Sequence, residues 1–388
     1  MTTSRRGFVF SLGGAFLALP FLLQGAAPLA KEYLVYAGTY TGPKSQGIYA
    51  YRFDTETGKM TPLGLAAETV NPTFLDIHPN HHFLYAINEI GNLNGKKVGG
   101  VSAFAIDAAT GKLRLLNQQS SGGDGPCHVM VDKAGKNLLV ANYGGGSVAS
   151  LPIKPDGSVG EMATFVQHQG SGPNKERQAG PHGHCFIFDP ANKFALACDL
   201  GLDQVLVYKF DGATGKVTPN DPPFGRVPAG AGPRHLSFHP NGKFVYVINE
   251  LDSTMSVFTY DSARGALAIV QTVSTLPAGF SGNNSCAEVE VHPNGKFVYG
   301  SNRGHNSIAV FAIDEASGRI QLVENKSTEG KTPRHFTLDP TGKFLLAENQ
   351  DSGTIALLKV DAKSGRLTSM EQTVSVGSPV CLKFVPLN

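Results

Sequence analysis

The 388-residue chain contains no Trp, five Cys and six Met, and charged residues make up 16% of it. Each scarcity removes a class of protein. Charge is well below the ~25% usual in soluble domains, the formal net charge is +2, and no block of like charges stands out. A basic nucleic-acid surface and a polar interaction tail are therefore excluded. Cys127, Cys185, Cys198, Cys286 and Cys381 are odd in number and lack metal-ligand spacing, so they read as buried free thiols. Cys185 and Cys198 fall on adjacent predicted strands, where a disulfide is geometrically conceivable. What the chain has in excess is Gly, 46 of 388 or about 12%, against a usual ~7%. With 41% hydrophobic residues it can still bury a sizeable core.

Residues 1–30 read as an export signal. Ser4-Arg5-Arg6-Gly7-Phe8-Val9 carries a twin arginine, an apolar run follows from Leu12 to Leu23, and small residues follow at Gly25, Ala26, Ala27 and Ala30. The run is short for a membrane span of ~20 residues. The pattern resembles the twin-arginine class, which implies the twin-arginine export machinery as a partner and a periplasmic or secreted destination. No stable membrane span is expected once the signal is removed.

Two phrases recur along residues 31–388. The first is a turn, as in Asp54–Met60 (DTETGKM), Asp107–Leu113, Asp211–Val217, Asp261–Leu267, Asp314–Ile320 and Asp361–Leu367, with a degenerate copy beginning at Lys154. Its Asp can satisfy backbone N–H groups and its Gly can supply positive φ, so it predicts a hairpin. The second is an apolar run, a Pro-containing turn often ending Gly-Lys-Phe, and another apolar run; its copies turn at Pro79, Lys133, Pro190, Pro240, Pro293 and Pro340. Successive copies are about fifty residues apart. The segments alternate β-branched, aromatic and small residues without a helical period, so they predict strands.

Four strands per fifty-residue unit predict the blades of a β-propeller. Residues 31–388 accommodate about seven units of ~51 residues. The expectation is an all-β, seven-bladed propeller of four-stranded antiparallel blades. The opening strand near Ser378–Pro386 and the strand at Glu32–Thr39 should complete one blade and close the ring. Absence of Trp excludes the WD repeat class.

In such a blade the first strand lines the channel and the second returns antiparallel. The start of one and the end of the other then share a channel mouth. Six pairs keep a constant 16-residue spacing: Thr73 with Glu89, Cys127 with Tyr143, His184 with Leu200, Arg234 with Glu250, Ala287 with Arg303, and Arg334 with Gln350. By analogy the split blade adds Val380 and Tyr40. The mouth is thus expected to gather Arg234, Arg303, Arg334, His184, Glu89, Glu250 and Tyr143, with His128, His235 and His335 one residue further on. Converging arginines suit an anionic ligand, because guanidinium binds carboxylate or phosphate in bidentate fashion. His and Glu supply acid–base capacity. An ion-pair ring that plugs the channel is the plainer alternative. Arg177, His182 and His184 lie at the end of a long Gly- and Pro-rich loop, the kind that carries function. His182-Gly183-His184 lacks acidic or Cys ligands at metal spacing, so neither a metal nor another cofactor is assigned. The row Asn88, Asn142, Asn249, Asn302 and Asn349, with Asp199 in the same register, is expected to hold connecting loops. His78, His239 and His292 are expected to be turn residues at the opposite end.

The phrases NPTFLDIHP at Asn71, RQAGPHGH at Arg177, DLGLD at Asp199, GPRHLSFHPNGKFVYVINEL at Gly232, SNRGHNSIAVF at Ser301 and TPRHFTLDPTGKFLLAENQ at Thr332 closely resemble the seven-bladed lactonase family. That family includes propeller-type 6-phosphogluconolactonase and fungal 3-carboxy-cis,cis-muconate lactonizing enzyme. The resemblance spans residues 33–386 and implies a metal-independent lactonase or lactonizing site in the channel mouth. Carried over by motif, it places His182 or His184, Arg234, Glu250 and Arg303 there as catalytic residues. Arg334, Arg177, Glu89, His128, His235 and Tyr143 are expected to bind substrate. The export signal is a departure, and makes an unphosphorylated aldonolactone or another acidic lactone an alternative to a phosphorylated one. A non-catalytic periplasmic propeller that binds an anionic ligand or a protein partner is the reading from a different class.

Overall fold

A computed structural model describes residues 1–3 and 29–387. The signal-like segment, including Arg5 and Arg6, lies almost wholly outside the described residues. Those residues form seven sheets, each of four antiparallel strands, and include no helix long and apolar enough to cross a membrane. Each innermost strand contacts its neighbours around a central channel: Leu75–Ile77, Pro126–Val131, Gly183–Phe188, Pro233–Phe238, Ser285–Val291, Pro333–Leu338 and Pro379–Leu387. The last of these pairs with Glu32–Thr39, for example Lys383 with Tyr36. The two ends of the chain therefore close one blade, and no sheet edge is left open between first and last blades.

The two recurring phrases are the two halves of the contact between blades. In the first, Asp107 Oδ1 accepts the Ala109 amide at 3.0 Å and Gly111 sits at φ 73°, a region open to Gly without a Cβ penalty. In the second, the Phe that follows Gly-Lys opens the blade's second strand. Phe244 then packs so closely on the turn glycine of the next blade, Gly318, that a Cβ there would meet its ring at 2.4 Å. Phe297 meets Gly365 in the same way, and Phe344 meets Gly58 across the closing blade. Two residues further along, the Tyr246 and Tyr299 hydroxyls donate to the carbonyls of Gly318 and Gly365. The apolar core is correspondingly made of clusters that each span neighbouring blades.

The polar rows also have defined partners. Asn88, Asn142, Asn302 and Asn349 donate their side-chain amides to carbonyls of the loops entering their own blades, at Val70, Ser121, Thr275 and Thr328. These four thus hold the connecting loops, as expected from the regularity of the row, whereas Asn249 donates to the Thr254 and Ser256 hydroxyls on the adjacent strand of its own blade. His78, His239 and His292 are turn residues, but each ring also donates across to the next blade, at Gly135, Gly295 and Gly342. All five cysteines are buried free thiols, including Cys185 and Cys198, which face each other across the ladder.

Candidate active site

The innermost strands share an irregularity that sets the site. In the blade opened by Pro233–Phe238, Pro233 pairs with Asn249 but His235 pairs with Ile248, which leaves Arg234 out of the ladder. Cys127, His184 and Arg334 are skipped in the same way, and the ladder breaks near Ala287 and Val380. A regular strand would send neighbouring side chains to opposite faces, whereas a bulge re-aims one of them. Both Arg234 and His235 therefore line the channel. The result is two storeys: Arg234, Arg334 and His184 at the mouth, with His128, His235, His335 and Glu288 beneath.

At the mouth Glu250 is the hub. Its Oε1 lies 2.7 Å from Arg177 Nη2, and its Oε2 lies 2.8 Å from Arg303 Nη2 and 3.2 Å from Arg234 Nε. Backbone carbonyls fix two of these arginines further, since Arg234 Nη1 donates to Ala287 and Arg303 Nη2 to Cys286. Burial pushes the Glu250 carboxyl upward, but the three guanidinium groups outweigh it and hold the group at about 2. Arg234 is pushed down to about 10, first by burial and then by Arg303 and Arg334. Arg177, Tyr143 and His182 form one wall. Arg177 Nη2 donates to the Tyr143 hydroxyl at 3.1 Å, and the His182 ring stacks on Tyr143 at 4.6 Å. His184 projects onto the floor beside Arg234, Glu89 and Arg334. Burial, reinforced by Arg234 and His235, keeps its imidazole well below the ordinary range and so neutral.

Opposite Glu250 lies a second, smaller cluster. Glu89 accepts from the Tyr40 hydroxyl at 2.7 Å and from the Thr73 hydroxyl at 2.6 Å, and the Arg334 guanidinium lies over the Tyr40 ring at 5.5 Å.

Two expected substrate contacts sit deeper than the sequence suggests. His128 is buried against the Phe74 ring at 4.3 Å, and His235 shares Glu288 with His335. Because the bulge separates Arg234 from His235 along the channel axis, these rings line the lower storey. His335 in turn bonds Glu348 at 2.6 Å. The carboxylates Glu288 and Glu348 were not anticipated, although a Glu inside an otherwise apolar strand was a visible signal. Also missed was the support of the Arg177–His184 loop. Asp199 accepts the His182 amide at 2.8 Å and holds His168, which meets the Tyr208 hydroxyl. Its signal was Asp in place of Asn in the register row.

The other end of the channel opens into a cavity of about 530 Å³ lined in part by Asp76, Glu290 and Lys383. Burial pushes the Glu290 carboxyl up to about 8, with Glu288 adding to it, while the Leu338 amide opposes the shift. A raised carboxyl stabilises the fold below its ordinary pKa and loses that contribution as pH rises through 8. Glu290→Gln, which stays neutral, should therefore gain stability relative to the parent protein between pH 5 and pH 9, as read by thermal unfolding at each pH.

The ring and its charged mouth define a seven-bladed β-propeller with a polar pocket on its axis. Residues 34–384 match the family described as "Lactonase, 7-bladed beta-propeller", and the chain belongs to that family. It is 41% identical over 355 residues to a 6-phosphogluconolactonase of Bacillus subtilis, covering 91% of this chain and 99% of that one. It is 33% identical over 309 residues to a 6-phosphogluconolactonase of Formosa agariphila, covering 79% and 86%. Among solved structures, a periplasmic gluconolactonase of Pseudomonas aeruginosa superposes with a TM-score of 0.85 at 36% identity, covering 91% and 99%. Lactone hydrolysis is thus the activity at the level of the family.

Proposed function

We propose that the protein hydrolyses a sugar lactone, or a related acidic lactone, at the mouth built around Arg234. The observation that carries this reading is the convergence of Arg177, Arg234 and Arg303 on Glu250 beside a buried neutral His184. Glu250, held at about 2, is a poor proton acceptor near neutrality; its role is to orient the guanidinium groups. His184 is the general base. It takes one proton from water as the water oxygen bonds to the lactone carbonyl carbon. Negative charge moves to the carbonyl oxygen, where Arg234 and Arg303 stabilise it. Collapse breaks the ring C–O bond, and the imidazolium returns its proton to the departing ring oxygen. The hydroxy acid then ionises and releases one proton. The arrangement is self-consistent, because the oxyanion offsets the Arg234 charge that keeps His184 neutral in the free protein.

The test is proton release from a panel of lactones at neutral pH with spontaneous hydrolysis subtracted. Turnover expected for at least one sugar lactone should fall by ~10²–10³ in Arg234→Ala, the range for loss of an oxyanion donor. No turnover across the panel, together with ligand-induced thermal stabilisation, would favour a non-catalytic binding propeller. We further infer export through the twin-arginine route, supported by Ser4–Val9 and the apolar run after it. Changing Arg5 and Arg6 together to Lys should retain the protein in the cytoplasmic fraction; unchanged fractionation would refute this.

A further inference from the structure

We infer that Glu89, with Tyr40, Thr73 and Arg334, forms a subsite that reads the remote hydroxyl groups of the substrate and rejects a phosphate there. The inference rests on the proposed hydrolysis at the Arg234 mouth. The mouth divides its charges unevenly. Arg177, Arg234 and Arg303 all pair directly with Glu250. Among the described residues Arg334 pairs with no carboxylate and lies over the Tyr40 ring instead. Its donors are therefore uncommitted. Glu89 stands nearby, its oxygens each accepting one hydroxyl, from Tyr40 and Thr73. A carboxylate oxygen has a second lone pair, so each can accept once more. Burial, helped by Glu89 and only partly opposed by Arg334, raises the Tyr40 phenol, so that hydroxyl remains a donor and fixes the carboxylate. One uncommitted guanidinium beside one fixed carboxylate suits a group that accepts and donates together. A sugar hydroxyl does both, accepting from Arg334 and donating to Glu89.

A phosphate monoester carries a charge of about −1.5 to −2 and offers mainly acceptors. Arg334 is the guanidinium there that is not already paired with Glu250, and Glu89 would repel the phosphate. Glu89, Thr73 and Arg334 line the mouth floor together with Arg234 and His184, so a lactone whose carbonyl lies at Arg234 brings its hydroxyl groups within reach of this subsite.

The experiment compares kcat/KM for D-glucono-1,5-lactone and its 6-phosphate in the full chain and in Glu89→Gln and Glu89→Asp. The parent protein should favour the unphosphorylated lactone by about tenfold or more, since like-charge juxtaposition is strongly disfavoured. Glu89→Gln should shift that ratio towards the phosphorylated lactone by about tenfold, and Glu89→Asp should retain it. An unmoved ratio in Glu89→Gln, or a parent preference for the phosphorylated lactone, overturns the subsite and leaves lactone hydrolysis standing. If the parent hydrolyses neither lactone, the functional reading fails and the subsite falls with it. Product inhibition of the parent protein gives an independent reading should the variants not fold. D-Gluconate should inhibit at roughly tenfold lower concentration than 6-phosphogluconate, and the reverse order overturns the inference.

Discussion

Glu250→Gln should lower the unfolding free energy by about 3–5 kcal/mol, the usual cost of removing one partner from a buried ion pair, and cost at least about a hundredfold in kcat/KM. The Glu250 side chain is 7% exposed and stands between Arg234 and Arg303, whose side chains are 3% and 12% exposed. A neutral amide leaves those two guanidinium groups facing each other with no anion between them. Their backbone acceptors at Ala287 and Cys286 remain, so the loss is of charge compensation and aim rather than of every contact. Urea unfolding measures the first loss and steady-state hydrolysis the second. Adding Arg303→Gln to Glu250→Gln should recover part of the stability without recovering the activity, because the repulsion is relieved while the anion site is not restored. The pH dependence gives a separate check. A carboxyl held at about 2 contributes stability above its ordinary pKa and loses it as pH falls through 2. Glu250→Gln should accordingly flatten the acid side of the stability profile between pH 4.5 and pH 2. An equally steep acid side in the variant would mean that Glu250 is not held down by the arginines.

The ring was legible because its repeats are punctuated by residues with narrow physical roles. The turn Asp caps amides, the turn Gly takes a positive φ, and the Phe after Gly-Lys fills the space left by the next blade's glycine. Spacing of these residues is enough to count blades. The bulges were not legible, because the skipped residues are as different as Cys127, His184, Arg234 and Arg334. A bulge here is a property of how the innermost strands converge on the axis, and its one mark in the sequence is the Pro directly before Cys127, Arg234, Arg334 and Val380, in whose place His184 has Gly183.

The same division explains the site. The 16-residue spacing anticipates Arg234 beside Glu250 and Thr73 beside Glu89, and both pairs are in contact. It cannot say that three arginines turn towards one carboxylate, since Arg177 arrives from a loop 73 residues away in sequence. Nor can it separate Arg334 from the others, because that depends on the Tyr40 ring brought in by the closing strand. Spacing along two strands fixes which Cα atoms share a mouth; side-chain pairing between blades fixes what the mouth can do.

His184→Asn should reduce kcat by about 10²–10⁴, the range for loss of a general base, with little change in thermal stability. His184 is neutral in the free protein because burial and Arg234 disfavour its cationic form. A depressed imidazole pKa keeps the base active to lower pH. The acid limb of kcat/KM, which reports the free enzyme, should therefore lie below 6.5, the ordinary value for His. Arg334 also depresses His184, so Arg334→Gln should move that limb upward. If the proposed subsite holds, Arg334 binds the substrate's hydroxyl groups, and a rise in KM should accompany the shift without abolishing turnover. His182→Asn separates the two histidines. Its ring contacts the Tyr143 backbone carbonyl and stacks on the Tyr143 side chain. Its loss should loosen the wall that carries Arg177, raising KM more than it lowers kcat. If instead His182→Asn removes the acid limb and His184→Asn leaves it in place, the base is His182, and the bulged storey serves only to hold the anion.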